Sequence, residues 1–228
     1  MSMTLSENFL NSINDYQYFL DKSYPQKAII KIICDRYSLS SVERTILFRG
    51  IASQEIAKSR QKKITSIENS KNNILHVDAY NILITISSYL FGSIVFVAND
   101  NFLRDAAEIH GKNFRDKFFN RSIELIIDFL KIINPKETIF YLDSPVSYSG
   151  ELSNYLNESL VKNNISGLAQ TVHSPDYHLK NIREGIVATS DSVIIDKSNV
   201  KIFDLARSTL VFHFNPTFLN LVQNDLNL

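Results

Sequence analysis

The first 70 residues carry hydrophobic positions at helical spacing. Phe9, Ile13, Tyr16 and Leu20 fall on one face of a helix. Residues 40–43 read Ser-Ser-Val-Glu, a capping box in which the serine hydroxyl and the glutamate carboxylate satisfy each other's backbone amides. No strand pattern occurs before residue 70. We therefore predict a small all-helical N-terminal domain over residues 1–70.

From residue 72 onward, short apolar runs alternate with longer helical patterns. This alternation is typical of βαβ units and predicts an α/β domain over residues 71–228 with a doubly wound, mostly parallel sheet. Nearly continuous apolar strands fit a sheet that helices cover on both faces. The predicted strands are residues 74–77, 94–98, 138–142, 167–172, 186–189 and 201–203. The predicted helices lie near 81–91, 102–110, 118–132, 150–163 and 175–182, with a short final helix in 215–228.

The uncharged stretch from residue 81 to residue 98 raises the question of a membrane span. It contains several polar side chains, and Asp78 and Asp100 flank it. We interpret it as a buried helix that ends at Gly92, followed by a buried strand. No membrane partner is expected.

Composition narrows the class of protein further. Hydrophobic residues make up 44% of the 228 residues, which excludes a disordered or low-complexity chain. The single cysteine, Cys34, excludes an internal disulfide framework and a multi-cysteine zinc site. The first ten residues lack the features of a signal peptide, so a reducing, cytoplasmic location is expected.

Aspartate ends, or closely follows, four of the predicted strands. These residues are Asp78, Asp100, Asp143 and Asp191. In an open parallel sheet the carboxyl ends of the strands share one edge, where ligands bind at the point of reversed strand order. The pattern therefore predicts an acidic pocket. The alternative is that each aspartate only caps a helix or a turn.

A cluster of carboxylates predicts a hard divalent cation. Carboxylate oxygens suit Mg²⁺ or Mn²⁺, which use one or two protein carboxylates together with water and substrate phosphates. Such an ion activates water and stabilises the charge of an in-line displacement at phosphorus. The expected reaction is phosphodiester hydrolysis, with Asp78, Asp143, Asp191 and Asp100 as the metal ligands. A phosphohydrolase or nucleotide-binding enzyme at the same edge is a further alternative.

Two short motifs resemble those of PIN-like and NYN-type nuclease domains. Residues 77–81 (Val-Asp-Ala-Tyr-Asn) resemble their opening motif, and residues 188–191 (Ala-Thr-Ser-Asp) resemble their late motif. The resemblance implies a doubly wound fold and a metal-dependent ribonuclease with Asp78, Asp143 and Asp191 as its acidic catalytic residues. Such domains usually carry a further acidic residue on an intervening helix. Asp100, Asp105 and Glu108 compete for that role.

The chain as a whole is similar to a prokaryotic family catalogued as domain of unknown function 434, in which a helical segment precedes a PIN-like half. The resemblance spans nearly all of residues 15–210. The segments that carry it are residues 24–28, 35–37, 43–44, 48–50, 102–105 and 142–150.

Further polar residues near the predicted edge are candidates for binding substrate. Asn81 would orient a ligand, and the serines of the 145–150 turn would cradle a phosphate at a helix N-terminus, unless they are ordinary caps. Arg104 would contact substrate, unless it pairs with Asp100 or Asp105. The candidate substrate-binding residues are Asn81, Arg104, Asp105, Ser147, Ser149 and Ser190.

The distribution of charge favours RNA as the partner. The chain has 24 basic and 24 acidic residues, but residues 1–75 hold 11 basic against 7 acidic, and residues 76–228 hold 13 against 17. Basic residues also alternate with phenylalanines over residues 112–121, a pattern suited to phosphates and bases. A non-catalytic RNA-binding or assembly module is the alternative function. A homodimer is one of the assemblies that the sequence leaves open.

Overall fold

A computed structural model describes residues 6–106 and 112–222, with side chains from residue 118 in the second range. The elements in chain order are α1 (Glu7–Asp21), α2 (Gln26–Arg36), α3 (Ser41–Gly50), α4 (Gln54–Gln61), α5 (Ile67–Ser70), β1 (Ile74–Asp78), α6 (Ala79–Phe91), β2 (Val95–Val97), β3 (Leu103–Asp105), α7 (Lys112–Ile133), β4 (Glu137–Asp143), α8 (Ser149–Lys162), β5 (Gly167–Val172), α9 (Pro175–Lys180), β6 (Ile186–Ala188), α10 (Ser192–Lys197), β7 (Lys201–Phe203), α11 (Leu205–Phe214) and β8 (Leu219–Asn220).

The chain forms two compact units that interleave along the sequence. The first unit comprises residues 1–62, 92–108 and 217–228, and the second comprises residues 63–91 and 109–216. The sequence places one boundary at residue 70. In the structure the helical unit also takes up two later segments, which supply β2, β3 and β8.

The helical unit is built as its sequence pattern predicts. Phe9, Ile13 and Tyr16 on α1 are buried in the core of this unit. Ser40 accepts a hydrogen bond from the Glu43 amide, and the Glu43 carboxylate accepts one from the Ser40 amide, so the predicted capping box at α3 is confirmed. Each hydrogen bond satisfies an amide that the first helical turn leaves without a partner.

The second unit contains a five-stranded sheet in the order β5-β4-β1-β6-β7, and every pair of neighbouring strands is parallel. The mixed α/β class, the parallel sheet and the preceding helical segment are thus confirmed. From β1 the chain builds outward through β4 and β5, then returns to β6 and β7 on the other side. The strand order therefore reverses between β1 and β6, which is where ligands bind in sheets of this kind.

The strand predicted at residues 94–98 is confirmed as β2 (Val95–Val97), but it joins β3 and β8 in a separate three-stranded sheet and not the parallel sheet. Two predictions of helices are wrong. The helix predicted over 102–110 is a strand at 103–105, while residues 107–111 lie outside the described part. Residues 217–222 contain β8 where a final helix was expected, and residues 223–228 are likewise outside it. Short apolar runs do not reveal which sheet they join, because the same pattern suits any buried strand.

The uncharged stretch is divided as interpreted from the sequence. Helix α6 ends at Phe91, Gly92 follows with φ of 84°, and β2 begins at Val95. Over the described ranges, no helix is both long and apolar enough to cross a membrane.

Candidate functional site

Three of the four predicted aspartates lie at the carboxyl edge of the five-stranded sheet. Asp78 is the last residue of β1, and Asp143 is the last residue of β4, which pairs with β1. Asp191 follows β6 on the other side of β1. Because these neighbouring strands are parallel, their ends share the edge at which the strand order reverses.

Asp78 is the most deeply buried of these carboxylates. It is 8% exposed, and burial raises its pKa from 3.8 to about 7. The Thr189 hydroxyl donates a hydrogen bond of 2.8 Å to Asp78 Oδ2 and opposes this rise, whereas the charges of Asp191 and Asp176 add to it. Desolvation and nearby negative charge both disfavour the ionised carboxylate. Asp78 is therefore poised to lose a proton near neutral pH when a positive charge arrives.

The two motifs at residues 77–81 and 188–191 are joined by hydrogen bonds. Asn81 Oδ1 accepts hydrogen bonds from the Ser190 amide at 2.8 Å and from its hydroxyl at 3.1 Å. Thr189 Oγ1 accepts one from the Asp191 amide at 3.0 Å while it donates to Asp78. The structure thus brings Asn81 and Ser190 together, as neighbours that hold the loop after β6 in place.

Asp191 has the helix-capping role that the sequence left open. Its Oδ1 accepts hydrogen bonds from the Val193 and Ile194 amides of α10, at 2.8 and 3.0 Å. Within the described ranges, Oδ2 receives no hydrogen bond. One oxygen of this half-buried carboxylate therefore belongs to the helix, and the other is available at the edge of the sheet.

A fourth carboxylate at this edge is Asp176, which does not end a predicted strand and was not among the predicted metal ligands. It lies on α9, which follows β5 directly. Burial raises the pKa of Asp176, the Asp191 charge raises it further, and Lys180 opposes the rise. Burial and the Asp176 charge likewise raise the pKa of Asp143. Asp176 therefore interacts electrostatically with each of the other three carboxylates.

The expectation that Asp100 joins this edge is wrong. Asp100 follows β2, which belongs to the three-stranded sheet of the helical unit. Its two oxygens each lie 2.7 Å from a guanidinium nitrogen of Arg104, and Oδ2 lies 3.0 Å from Arg60. Burial raises the pKa of Asp100, but the two arginines outweigh it and hold the pKa below its usual value. This buried ion-pair group explains Asp100 and Arg104 as structural residues.

Asp105, the other acidic competitor within the described part, is also engaged in the helical unit. Arg49 Nη1 lies 3.0 Å from Asp105 Oδ1 and donates to the Asp105 carbonyl at 2.8 Å. Glu108 lies outside the described residues. Asp176, on α9, is a described acidic residue between the two motifs that interacts with the carboxylates of this edge.

The serines of the 145–150 turn are only partly available for a phosphate. The Ser149 hydroxyl donates to the Ser144 carbonyl at 3.3 Å, and Ser147 is exposed. Tyr148 occupies the capping position of α8 with φ of 66° and makes no side-chain cap. Neither serine caps the helix through its side chain. A role in binding phosphate stays a prediction.

The donor chemistry of the edge suits a hard divalent cation, although the carboxylates do not form a closed cage. In the described part of the chain, no three His, Cys, Asp or Glu side chains are arranged to hold a metal ion. Mg²⁺ commonly takes one or two protein carboxylates and completes its shell with water and substrate phosphates. Four carboxylates that interact electrostatically without forming such a cage therefore fit an open site better than a structural one.

Comparison with known proteins follows the same division of the chain. Residues 8–63 match the family described as Protein of unknown function (DUF434), which confirms that resemblance for the helical segment. Residues 67–208 match a second family. The DUF434 match therefore covers the helical segment alone, and not nearly all of residues 15–210 as the sequence suggested. An uncharacterized protein of Methanocaldococcus jannaschii is 32% identical over 187 residues, which cover 82% of this chain and 88% of that protein.

No solved structure matches the chain. The second family match covers all the candidate carboxylates at the edge of the parallel sheet, and neither family description names an activity. The chain belongs to the family described as Domain of unknown function (DUF5616), preceded by a DUF434 segment.

Proposed function

We propose that this protein is a metal-dependent phosphodiester hydrolase, a PIN-like ribonuclease that acts on RNA. The observation that carries the proposal is the group of four interacting carboxylates at the point of reversed strand order. Counted within the parallel sheet alone, the strands follow the order 3-2-1-4-5, as in doubly wound nucleotide-binding sheets. The motif resemblance at residues 77–81 and 188–191 supports the same interpretation.

Asp78, Asp143, Asp176 and Asp191 would hold one or two divalent cations, Mg²⁺ or Mn²⁺. When bound, the metal supplies an activated water and neutralises charge on the phosphate. The chain's own residues prepare the site. Thr189 orients Asp78 Oδ2 through its hydrogen bond, and the bonds between Asn81 and Ser190 set the loop that carries Asp191. Asp78 releases its proton as positive charge enters the buried site.

The basic excess of residues 1–75 supports RNA as the partner. Some of these basic side chains, however, are already engaged within the protein. Arg60 is committed to Asp100, and the Lys63 ammonium donates to three carbonyls at the end of α10. Lys58 and Lys62, which lie close to Arg60 and Lys63 in the sequence, are exposed. The side chains of residues 112–117 lie outside the described part.

The proposal is tested by incubating the full chain with labelled single-stranded and structured RNA in Mn²⁺ or Mg²⁺. We expect cleavage that EDTA abolishes and that Asp78→Asn and Asp191→Asn each reduce strongly. Asp128→Asn is the matched control, because Asp128 is an exposed aspartate on α7 that pairs with Lys131. Cleavage that survives both site substitutions would remove the proposal.

The alternative is a non-catalytic RNA-binding or assembly module. The lack of a three-residue metal cage within the described ranges favours it, as does the capping role of Asp191. Calorimetric titration with Mn²⁺ separates the two functions. Saturable binding that Asp78→Asn weakens supports the hydrolase, and RNA binding without any saturable Mn²⁺ binding supports the module.

A further inference from the structure

Helix α9 places an exposed aromatic ring beside the acidic edge of the parallel sheet. Tyr177 is 61% exposed and directly follows Asp176 in the sequence. A single exposed ring is common on protein surfaces and carries little alone. The surroundings of Tyr177 give it significance, because its ring and its backbone are both held in place next to a group of carboxylates.

A series of ring contacts connects Tyr177 to the strand that ends in Asp78. The His178 ring meets Tyr177 edge-on, with centroids 6.1 Å apart, and stacks on Tyr141 of β4 at 6.0 Å and 24°. The Tyr141 hydroxyl lies 3.1 Å from His76 Nδ1, and His76 precedes Asp78 by two residues on β1. The position of Tyr177 relative to the acidic edge is therefore set through packed rings.

The backbone of Tyr177 is also restrained. Its amide donates to the Ser174 hydroxyl at 3.3 Å, and its carbonyl accepts a hydrogen bond of 2.7 Å from Asn181 Nδ2. Pro175 is buried at the start of the helix. A tyrosine restrained in this way presents a large flat surface and loses little conformational entropy when it binds a ligand.

A cation accompanies the ring. Lys180 Nζ lies 5.2 Å from the centroid of the Tyr177 ring. Aromatic rings bind nucleobases by stacking with little preference for sequence, and lysines contact the phosphates of the same strand. Among four carboxylates, a lysine beside the ring offsets the repulsion that an incoming phosphate meets.

We propose that Tyr177 and Lys180 form a base-stacking subsite, which holds an unpaired nucleotide of an RNA strand next to the strand-end carboxylates. The inference rests on the proposed function and narrows its substrate to RNA with an unpaired base at this position. Tyr177 stacks on the base, and Lys180 contacts an adjoining phosphate. A base paired within a duplex has both faces covered and does not use this subsite.

The test measures binding of a short fluorescent oligouridylate to the full chain in Mg²⁺ by anisotropy, and gels after each titration record whether the RNA was cleaved. We expect Tyr177→Ala to weaken binding at least about fivefold, the lower limit for loss of one stacked base. Tyr177→Phe keeps the ring and should bind within twofold of the unchanged protein. The same oligouridylate annealed to oligoadenylate should show no dependence on Tyr177.

Tyr18→Ala is the matched control. Tyr18 is 59% exposed, and Lys22 Nζ lies 5.8 Å from its ring centroid, so the same pair of residue types occurs in the unit that does not carry the carboxylates. Its loss should leave binding unchanged. Lys180→Gln should flatten the dependence of log K on log salt by about 0.7, as expected for one phosphate contact on a single strand.

The subsite is overturned if Tyr177→Ala binds within twofold of the unchanged protein, or if Tyr177→Phe loses as much affinity as Tyr177→Ala. It is also overturned if Tyr18→Ala weakens binding equally. Loss of binding in Tyr177→Ala with no cleavage under any metal supports the subsite and removes the hydrolase. Cleavage that depends on Asp78, with unchanged binding in Tyr177→Ala, supports the hydrolase and removes the subsite.

Discussion

The buried carboxylate of Asp78 makes the stability of this protein depend on pH in a defined direction. Its pKa is raised from 3.8 to about 7 by burial, so the folded protein binds the proton more tightly than the unfolded chain does. The free energy of unfolding contributed by Asp78 is therefore greatest at acid pH. It falls as the pH rises from about 4 to about 7.

The size of the effect follows from the shift in pKa. Each unit corresponds to about 1.4 kcal/mol, so a shift of roughly three units contributes about 4 kcal/mol between the two ends of the interval. Asp78→Asn removes the titration and keeps an oxygen that can accept the Thr189 hydrogen bond. In EDTA we expect this variant to gain up to about 3 kcal/mol of stability relative to the unchanged protein as the pH rises from 5 to 8, because that range covers about two of the three pH units between the unfolded and folded pKa values.

Urea denaturation at a series of pH values, always in EDTA, measures the effect. The raised pKa values of Asp143 and Asp176 act in the same direction, so the quantity compared is the difference between the variant and the unchanged protein. Asp128→Asn is the matched control, because Asp128 is an exposed partner of Lys131 and its substitution leaves the buried carboxylates in place. If Asp78→Asn and the unchanged protein differ in stability by the same amount at pH 5 and at pH 8, the pKa of Asp78 is not raised by burial.

Three further substitutions test contacts that lie within one unit or the other. Thr189→Val removes the buried donor to Asp78 and the acceptor of the Asp191 amide. Urea denaturation should show that this variant is about 1–3 kcal/mol less stable than Thr189→Ser, which keeps the hydroxyl. Equal stability of the two variants would contradict this. Lys63→Met leaves three carbonyls at the end of α10 without their ammonium donor. Thermal unfolding should show that the free energy of unfolding falls by about 1–2 kcal/mol. Lys71→Met, at an exposed lysine, is the control and should leave stability unchanged. Arg104→Met leaves buried Asp100 paired with Arg60 but not with Arg104. Urea denaturation should show that the free energy of unfolding falls by about 3–5 kcal/mol, and adding Asp100→Asn should restore part of it. If the double variant restores nothing, the lost ion pair is not the cause.

The sequence predicted those features that depend on local pattern. The helical spacing of Phe9, Ile13 and Tyr16, the Ser40 capping box and the alternation of strands with helices all depend on residues close together in the chain. The parallel sheet then followed from general rules about how such units connect. Three of the four strand-end aspartates were accordingly placed on the correct edge.

The errors concern features that depend on distant partners. The apolar run of β2 suits a buried strand in either sheet, and its actual neighbours, β3 and β8, are separated from it by very different lengths of chain. Asp176 was not among the predicted ligands because it lies on a helix, whereas the pattern of the sequence pointed to aspartates that end strands. After β5 the chain enters α9, and this helix brings the Asp176 carboxylate to the edge of the sheet.

The hydrogen bonds of the acidic edge bear on how a cation would be held there. One oxygen of Asp78 is bonded to Thr189, and one oxygen of Asp191 is bonded to the amides of α10, so each carboxylate is oriented before any ion arrives. Oriented carboxylates that do not form a cage match the ordinary coordination of Mg²⁺, in which water and a substrate phosphate complete the shell. Bound metal would then strengthen the binding of phosphate, because a phosphate oxygen completes the metal's shell, and linkage makes this effect mutual. A binding module with purely structural aspartates has no reason to show that coupling, and the coupling is therefore the property that best separates the two proposed functions.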